Sequence, residues 1–247
     1  MVMEISQTVK PTACLLEAFR FVIRHRWPCL IRAVPVVAMT ALIAWLETNI
    51  LAAADYFRLV VNELLYAIFA VYWHRYTLLG FERENSDFGL QFGLREIKFA
   101  GAMIGYVIIT YLLARVYVAS GGDASSASIV LFMGLLLLCF MPLMFIFPAI
   151  ALDQPMRIGH FARSIIDMFL PLIGTLMLSL IAVIGLYILI YMPMLLLILM
   201  NRPDMAGIVF YALSSFLIMP FIMAVFISFL SILYRESIGI APVKAGS

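Results

Sequence analysis

Residues 169–200 read FLPLIGTLMLSLIAVIGLYILIYMPMLLLILM and contain no charged side chain. As a single helix this stretch is about 48 Å long at 1.5 Å per residue, whereas the hydrocarbon core of a bilayer is about 30 Å thick. The stretch therefore predicts a transmembrane helix that is either strongly tilted or broken at Pro193, because a proline removes a helical hydrogen bond.

The whole chain shares this apolar character. Of its 247 residues, 65% are hydrophobic and 12% are charged, whereas an ordinary soluble domain is about half apolar and a quarter charged. A soluble fold would expose its apolar excess to water and aggregate, so the composition predicts an integral membrane protein in contact with the lipid bilayer. The net charge of +2 and the lack of a basic run argue against a nucleic-acid partner.

Six stretches have the roughly 20 apolar residues that a spanning helix needs. They cover residues 29–50, 59–80, 99–118, 129–151, 169–192 and 206–232. The pattern predicts an all-α integral membrane protein, a bundle of about six transmembrane helices that forms one polytopic domain over residues 1–247.

The loop charges predict how these spans are oriented, because lysine and arginine accumulate on the cytoplasmic side. With a cytoplasmic N-terminus, the outer side holds Arg58, Arg115 and Arg202, and the other thirteen basic residues all lie on the inner side. Adding or removing one span would reverse every later loop, so this split also supports the number six. Both termini are then expected in the cytoplasm.

Residues 12–26, TACLLEAFRFVIRHR, predict an amphipathic helix at the cytoplasmic interface. Leu15, Ala18, Phe19 and Val22 share one face of this helix, and the charged residues lie largely off it. We expect such a helix to lie on anionic lipid headgroups.

The basic residues of that helix, Arg20, Arg24 and Arg26, are the candidate contacts to the headgroups. A second interfacial helix is predicted at 156–167, MRIGHFARSIID, directly after Pro155. Together the two segments predict a cytoplasmic face that is more structured than the outer one.

Charged side chains inside a bilayer are costly and are usually paired. Glu63 lies about one turn inside the outer end of the second span, and Arg115 lies at a similar depth in the third. These two residues could form an ion pair, with Glu47 and Arg58 close by at the outer ends of the first and second spans. Two interpretations stay open: a proton or substrate site at the mouth of a pathway, and a structural pair whose arginine reaches water.

The second span ends on Trp73, His74 and Arg75, which we place at the cytoplasmic interface, where rings and cations prefer to lie. The three histidines lie on separate segments, and the three cysteines form no CxxC pair, so we expect no metal and no cofactor. The sequence also contains no catalytic motif, and we assign no catalytic residue.

Gly101 and Gly105 form a GxxxG motif at the start of the third span, which permits close approach of two helices. The partner helix belongs either to the same bundle or to a second copy of the chain.

Four short strings carry a family resemblance. They are AVYWHRYTLLG (70–80), FGLREIKFAG (92–101), FPAIALDQP (147–155) and SILYRES (231–237). In their arrangement the chain resembles a large group of uncharacterised bacterial inner-membrane proteins of about six spans. That group is distantly similar to the YciC-like proteins and to the membrane domain attached to some glycerophosphodiester phosphodiesterases.

The resemblance implies a bacterial inner-membrane location and the six-span topology. None of the strings is a catalytic signature, so phosphodiesterase activity is not implied. The positions matched to the group, with roles in anchoring and packing, are Trp73, His74, Arg75, Pro148 and Tyr234.

These observations lead to a non-enzymatic function as the first expectation. The chain is then a structural or accessory protein that supports a membrane complex or envelope homeostasis, and its partner is another membrane protein or a second copy. One alternative is a transporter or lipid-handling protein that uses the proline-containing later spans as a path. Another is a membrane-bound enzyme that uses the cytoplasmic histidines.

Overall fold

The structure is a computed structural model. It describes residues 9–49, 55–80, 93–121, 128, 132, 143–155, 158–200, 205, 207, 209–210 and 213–240, and among these it leaves out the side chains of 44–45, 47–49, 55–59, 158–168, 190 and 215. Every regular element in these ranges is a helix. The elements are α1 (Pro11–Arg24), α2 (Arg26–Asn49), α3 (Asp55–Leu79), α4 (Leu94–Ala119), α5 (Ile146–Ala151), α6 (Ile158–Leu199), a π-helical turn (Ser214–Ile218) and α7 (Met219–Ile238).

Four helices in the described ranges are long and apolar enough to cross a membrane. They are Arg26–Ile43, Leu94–Ala119, Phe169–Leu199 and Phe216–Ile238. The prediction of an all-α chain with several such helices is therefore confirmed for these ranges, at the first, third, fifth and sixth predicted spans.

The two other predicted spans differ in what the structure says of them. α3 has the length of a span, but polar residues such as Asn62, Glu63 and His74 lower its mean hydropathy, and it is not among the four. The fourth predicted span, 129–151, lies outside the described residues except at positions 132 and 143–151.

α6 runs without interruption from Ile158 to Leu199 and contains both Pro171 and Pro193. Of the two alternatives that the sequence left open, a tilted helix or a break at Pro193, the structure shows no break. The predicted segment 156–167 is continuous with α6 from residue 158 onward, and its place at the membrane interface stays a prediction. Each proline removes one hydrogen bond, and a transmembrane helix tolerates this loss through local adjustment of its backbone.

Pro220 has a visible effect on the backbone. It is the second residue of α7, directly after the π-helical turn Ser214–Ile218. A proline cannot donate to the carbonyl four residues back, and its ring crowds that oxygen. The carbonyl in question belongs to Phe216, inside the turn, and the wider π-helical geometry makes room for the ring.

The chain divides into two compact units, and the first comprises Met1–Val37 and Ile166–Ser247. In it α1 packs along α7. Glu17 contacts Arg235 near the end of α7, and the ring of Phe19 lies 6.1 Å from that of Phe221 near its start.

Small residues bring α1 and α7 close together. Ala18 of α1 and Ala224 and Ser228 of α7 have no exposed surface, and small side chains let helix backbones approach closely. The buried stripe of α1 also includes Leu15 and Val22. The predicted amphipathic helix is thus present, but most of the face that we assigned to lipid is covered by protein.

The second unit comprises Ala38–Ile165. In it α3 packs against both α4 and α5, and α4 also contacts α5. Neighbouring rings in this unit belong to Phe69, Trp73, His74, Tyr76, Phe99 and Phe147, with centroids 4.9 to 6.0 Å apart. Aromatic pairs at such distances add about 0.5–1.5 kcal/mol each beyond the burial of their surface.

Candidate functional site

Trp73 and His74, two of the candidate interface residues near the end of α3, have side chains that face protein. Trp73 is 0% exposed and His74 is 1% exposed, so neither ring reaches lipid headgroups. An interfacial anchor needs an accessible ring, and for these two residues packing is the role that the structure shows. The position of this end of α3 relative to a membrane stays a prediction.

Arg75 binds the end of α5. Its Nη1 donates a hydrogen bond of 3.2 Å to the carbonyl oxygen of Ala151, the last residue of that helix. Carbonyls at a helix C-terminus lack intrahelical partners and carry partial negative charge. The guanidinium therefore supplies a donor to the C-terminal end of α5.

A second arginine holds the turn that follows. Asp153 has a φ of 54°, in the left-handed region that aspartate tolerates better than most residues. Its carboxylate accepts a hydrogen bond of 2.9 Å from Nε of Arg95 and a second one from Nη2, and the amide of Gln154 closes the turn on the carbonyl of Ala149 at 2.8 Å.

The sequence had not suggested the Arg95–Asp153 pair, although it had singled out the strings that contain it. Strings 70–80, 92–101 and 147–155 contribute the residues of these two arginine contacts. The three strings therefore meet in one place, where the ends of α3, α4 and α5 are tied together.

The charged residues predicted near the outer ends of the first three spans are only partly described. Glu63 on α3 is half-buried, and its Oε2 is inaccessible and without a hydrogen-bond partner in the described ranges. Arg115 on α4 is exposed, and no ion pair between it and Glu63 occurs among the described residues. The side chains of Glu47 and Arg58 lie outside the description, so the interpretations of this group stay predictions.

The GxxxG motif of α4 has no close neighbour. A Cβ atom added to Gly101 or Gly105 would meet nothing within 4 Å in the part of the chain that is described. Both interpretations of its partner helix therefore stay predictions. Pro148, matched to the family group, is buried in α5.

Arg20, Arg24 and Arg26 are all exposed. Within the described ranges none of them has an acidic partner, because Glu17, the acidic residue of α1, is bound by Arg235. Among the described residues, no acidic side chain therefore pairs with these three cations around the junction of α1 and α2.

An apolar cavity of about 160 Å³ lies between α1, α6 and α7 in the first unit. Leu15 and Phe19 of α1 form part of its wall. Its polar lining residues are Thr175 and Ser179, whose hydroxyls donate to carbonyls of their own helix at 2.8 and 2.7 Å. With these donors already engaged, the cavity can accept an apolar group but offers little to a polar one.

Metal and thiol chemistry find little support in the same ranges. The described residues contain no group of three or more His, Cys, Asp or Glu side chains that could hold a metal ion. Cys14 is a buried free thiol. Burial raises its pKa from 9.0 to about 11, and the charges of Glu236 and Glu17 add to the shift, so the thiol stays protonated and unreactive near neutral pH.

No protein-family model, no curated protein and no solved structure matches the chain.

Proposed function

We propose that the chain is a multi-pass protein of the bacterial inner membrane that acts without catalysis, as a structural or accessory subunit of a membrane complex or in envelope homeostasis. One observation carries this proposal. The stretch of α6 from Phe169 to Leu199 is strongly apolar, and none of its most apolar section is buried by the rest of the described chain.

The length of this stretch favours a protein partner over lipid alone. Its 31 residues span about 46 Å as a helix, against about 30 Å of hydrocarbon. Such a mismatch costs fractions of a kcal/mol per Å and drives helix association. A second membrane protein packed along α6 covers the excess length, which acyl chains do not reach.

The finer topology belongs to the same proposal. Six spans with cytoplasmic termini are supported by the basic residues, thirteen of which lie on one side in this topology. The resemblance to the six-span group and to the YciC-like proteins rests on the four short strings of the sequence.

Site-specific photo-crosslinking in native membranes tests the proposal. A benzophenone side chain replaces Ile188 or Leu195, two exposed residues one heptad apart on α6, and Leu112, an equally exposed apolar residue of α4, is the matched control. We expect one discrete protein adduct from the α6 positions and none from Leu112. Adducts with lipid alone at all three positions would contradict the proposal.

Lipid handling is the second candidate, and the apolar cavity between α1, α6 and α7 favours it. It predicts that the purified chain moves fluorescent phospholipids between the leaflets of vesicles. The accessory role predicts that the lipids move between the leaflets at the same rate as in vesicles that contain no protein.

A further inference from the structure

We propose that the first unit binds one anionic phospholipid. Arg20 and Arg24 of α1 hold its phosphate, and part of an acyl chain fills the cavity between α1, α6 and α7. This inference does not depend on the accessory role, because a bound lipid could serve either candidate function.

The positive charge on α1 favours binding of an anion that the described chain does not supply. Arg20 and Arg24 lie one turn apart on the exposed side of α1, and neither has an acidic partner in the described ranges. Glu17 is engaged by Arg235, at 2.9 Å. Two arginines one turn apart can contact the oxygens of a single phosphate.

Helix geometry connects these cations to the cavity. Phe19 lines the cavity, and Ile23 lies one turn further along the same edge of α1. Leu16 and Ile23, both exposed apolar residues, occupy the surface between Phe19 and Arg20. An apolar surface therefore leads from the cavity to the arginines, as a phospholipid with a charged head and an apolar chain requires.

The cavity has the size and chemistry of an acyl-chain segment. At about 160 Å³ it is comparable to an apolar cavity of about 150 Å³ that stays dry and accepts benzene, a six-carbon guest. Two of the three helices around it, α6 and α7, contain stretches that are long and apolar enough to cross a membrane. In that setting acyl chains are the abundant apolar molecules.

The expected depth of α1 in the membrane is consistent with a phosphate at the arginines and an acyl chain in the cavity. Arginines without acidic partners are costly in the hydrocarbon core, so the section from Arg20 to Arg26 lies at the headgroup level. Trp27 follows directly and is 65% exposed, as expected for an indole at the interface. The cavity is partly lined by the same helix and lies where an acyl chain begins.

Native mass spectrometry of the full chain tests the proposal. The purified protein is exchanged into mixed micelles of phosphatidylglycerol and phosphatidylcholine with identical acyl chains, and the retained lipids are counted. We expect one retained phosphatidylglycerol per chain. Equal retention of the two lipids would overturn the proposal, because it would indicate unselective contact with the surrounding lipid.

Two pairs of variants test the two halves of the site. The double change Arg20→Gln and Arg24→Gln should weaken phosphatidylglycerol binding about tenfold, since each cation near an anionic headgroup contributes to binding. The control Lys10→Gln removes an exposed cation just before α1 and should have no effect.

For the cavity, Ala182→Trp fills the space and should abolish retention. Ile181→Trp adds the same ring at an exposed neighbour outside the lining and should leave retention unchanged. Retention that survives both Ala182→Trp and the double arginine change would contradict the proposal. So would displacement of the lipid by inorganic phosphate with no effect of Ala182→Trp, because the site would then bind an anion without a chain.

Discussion

Nη2 of Arg235 donates a hydrogen bond of 2.9 Å to Oε1 of Glu17, which joins α1 to α7 across 218 positions of sequence. Nε of the same guanidinium donates to Oε1 of Glu236, also at 2.9 Å. The Arg235 and Glu17 side chains are 36% and 53% exposed, so water screens their attraction. We therefore attribute most of the stability of this helix pair to the small buried residues between the helices.

The first prediction tests the close contact at Ala18, which is 0% exposed. Ala18→Leu places a larger side chain where no space exists, and we expect a loss of about 1–3 kcal/mol in the free energy of unfolding. Thermal unfolding in detergent measures it. Ala13→Leu, on the exposed side of the same helix, is the control and should stay within about 0.5 kcal/mol.

Glu17→Gln tests the ion pair separately. The expected loss is below about 1 kcal/mol, as for other solvent-screened pairs. A larger loss than that of Ala18→Leu would show that the ion pair, and not the buried small residues, holds α1 against α7.

Arg75→Met should loosen the end of α5. The change leaves the carbonyl of Ala151 without its donor, and a hydrogen bond to a charged group contributes about 1.5–3 kcal/mol. Thermal unfolding measures the loss, with Lys98→Met as the control because Lys98 is an exposed cation of α4 in the same unit. Equal effects of the two changes would argue against a specific role of Arg75.

Single-tryptophan variants should distinguish packing from lipid contact. A chain that retains only Trp27, which is 65% exposed, should be quenched by brominated lipid or by acrylamide, whereas a chain that retains only Trp73, which is 0% exposed, should resist both. Equal quenching of the two would restore Trp73 to the interfacial role that the sequence suggested.

The Cys14 thiol should make stability depend on alkaline pH. Burial raises its pKa from 9.0 to about 11, so between these values the unfolded chain loses the proton and the folded chain keeps it. The free energy of unfolding should therefore fall as pH rises from about 9 to about 11. In a background without Cys29 and Cys139, Cys14→Ala should flatten this fall, and an unchanged slope would contradict the prediction.

The helices were largely predictable from the sequence, because their apolar stretches are long and their ends carry polar residues. Residues 12–26 and 99–118 correspond to α1 and α4 within a few positions. The continuity of α6 through Pro193 was not predictable. A proline in the sequence predicts the loss of one helical hydrogen bond. It does not predict whether the surrounding backbone compensates for that loss.

The sequence also does not predict whether an apolar helix face contacts lipid or another helix. Hydropathy does not separate a side chain that faces lipid from one that faces another helix, since both surroundings are apolar. For this reason Trp73 was placed at the membrane surface and the stripe of α1 on headgroups, although protein buries both. The Glu17–Arg235 contact joins residues too distant in sequence for a local pattern to reveal.

The mass of the protein after native extraction tests whether the chain works as a subunit beside another membrane protein. The full chain is purified from its own membranes in mild detergent and measured intact. We expect the 27.8 kDa chain together with one other membrane protein in fixed stoichiometry. A solitary 27.8 kDa chain that carries only lipid would contradict it.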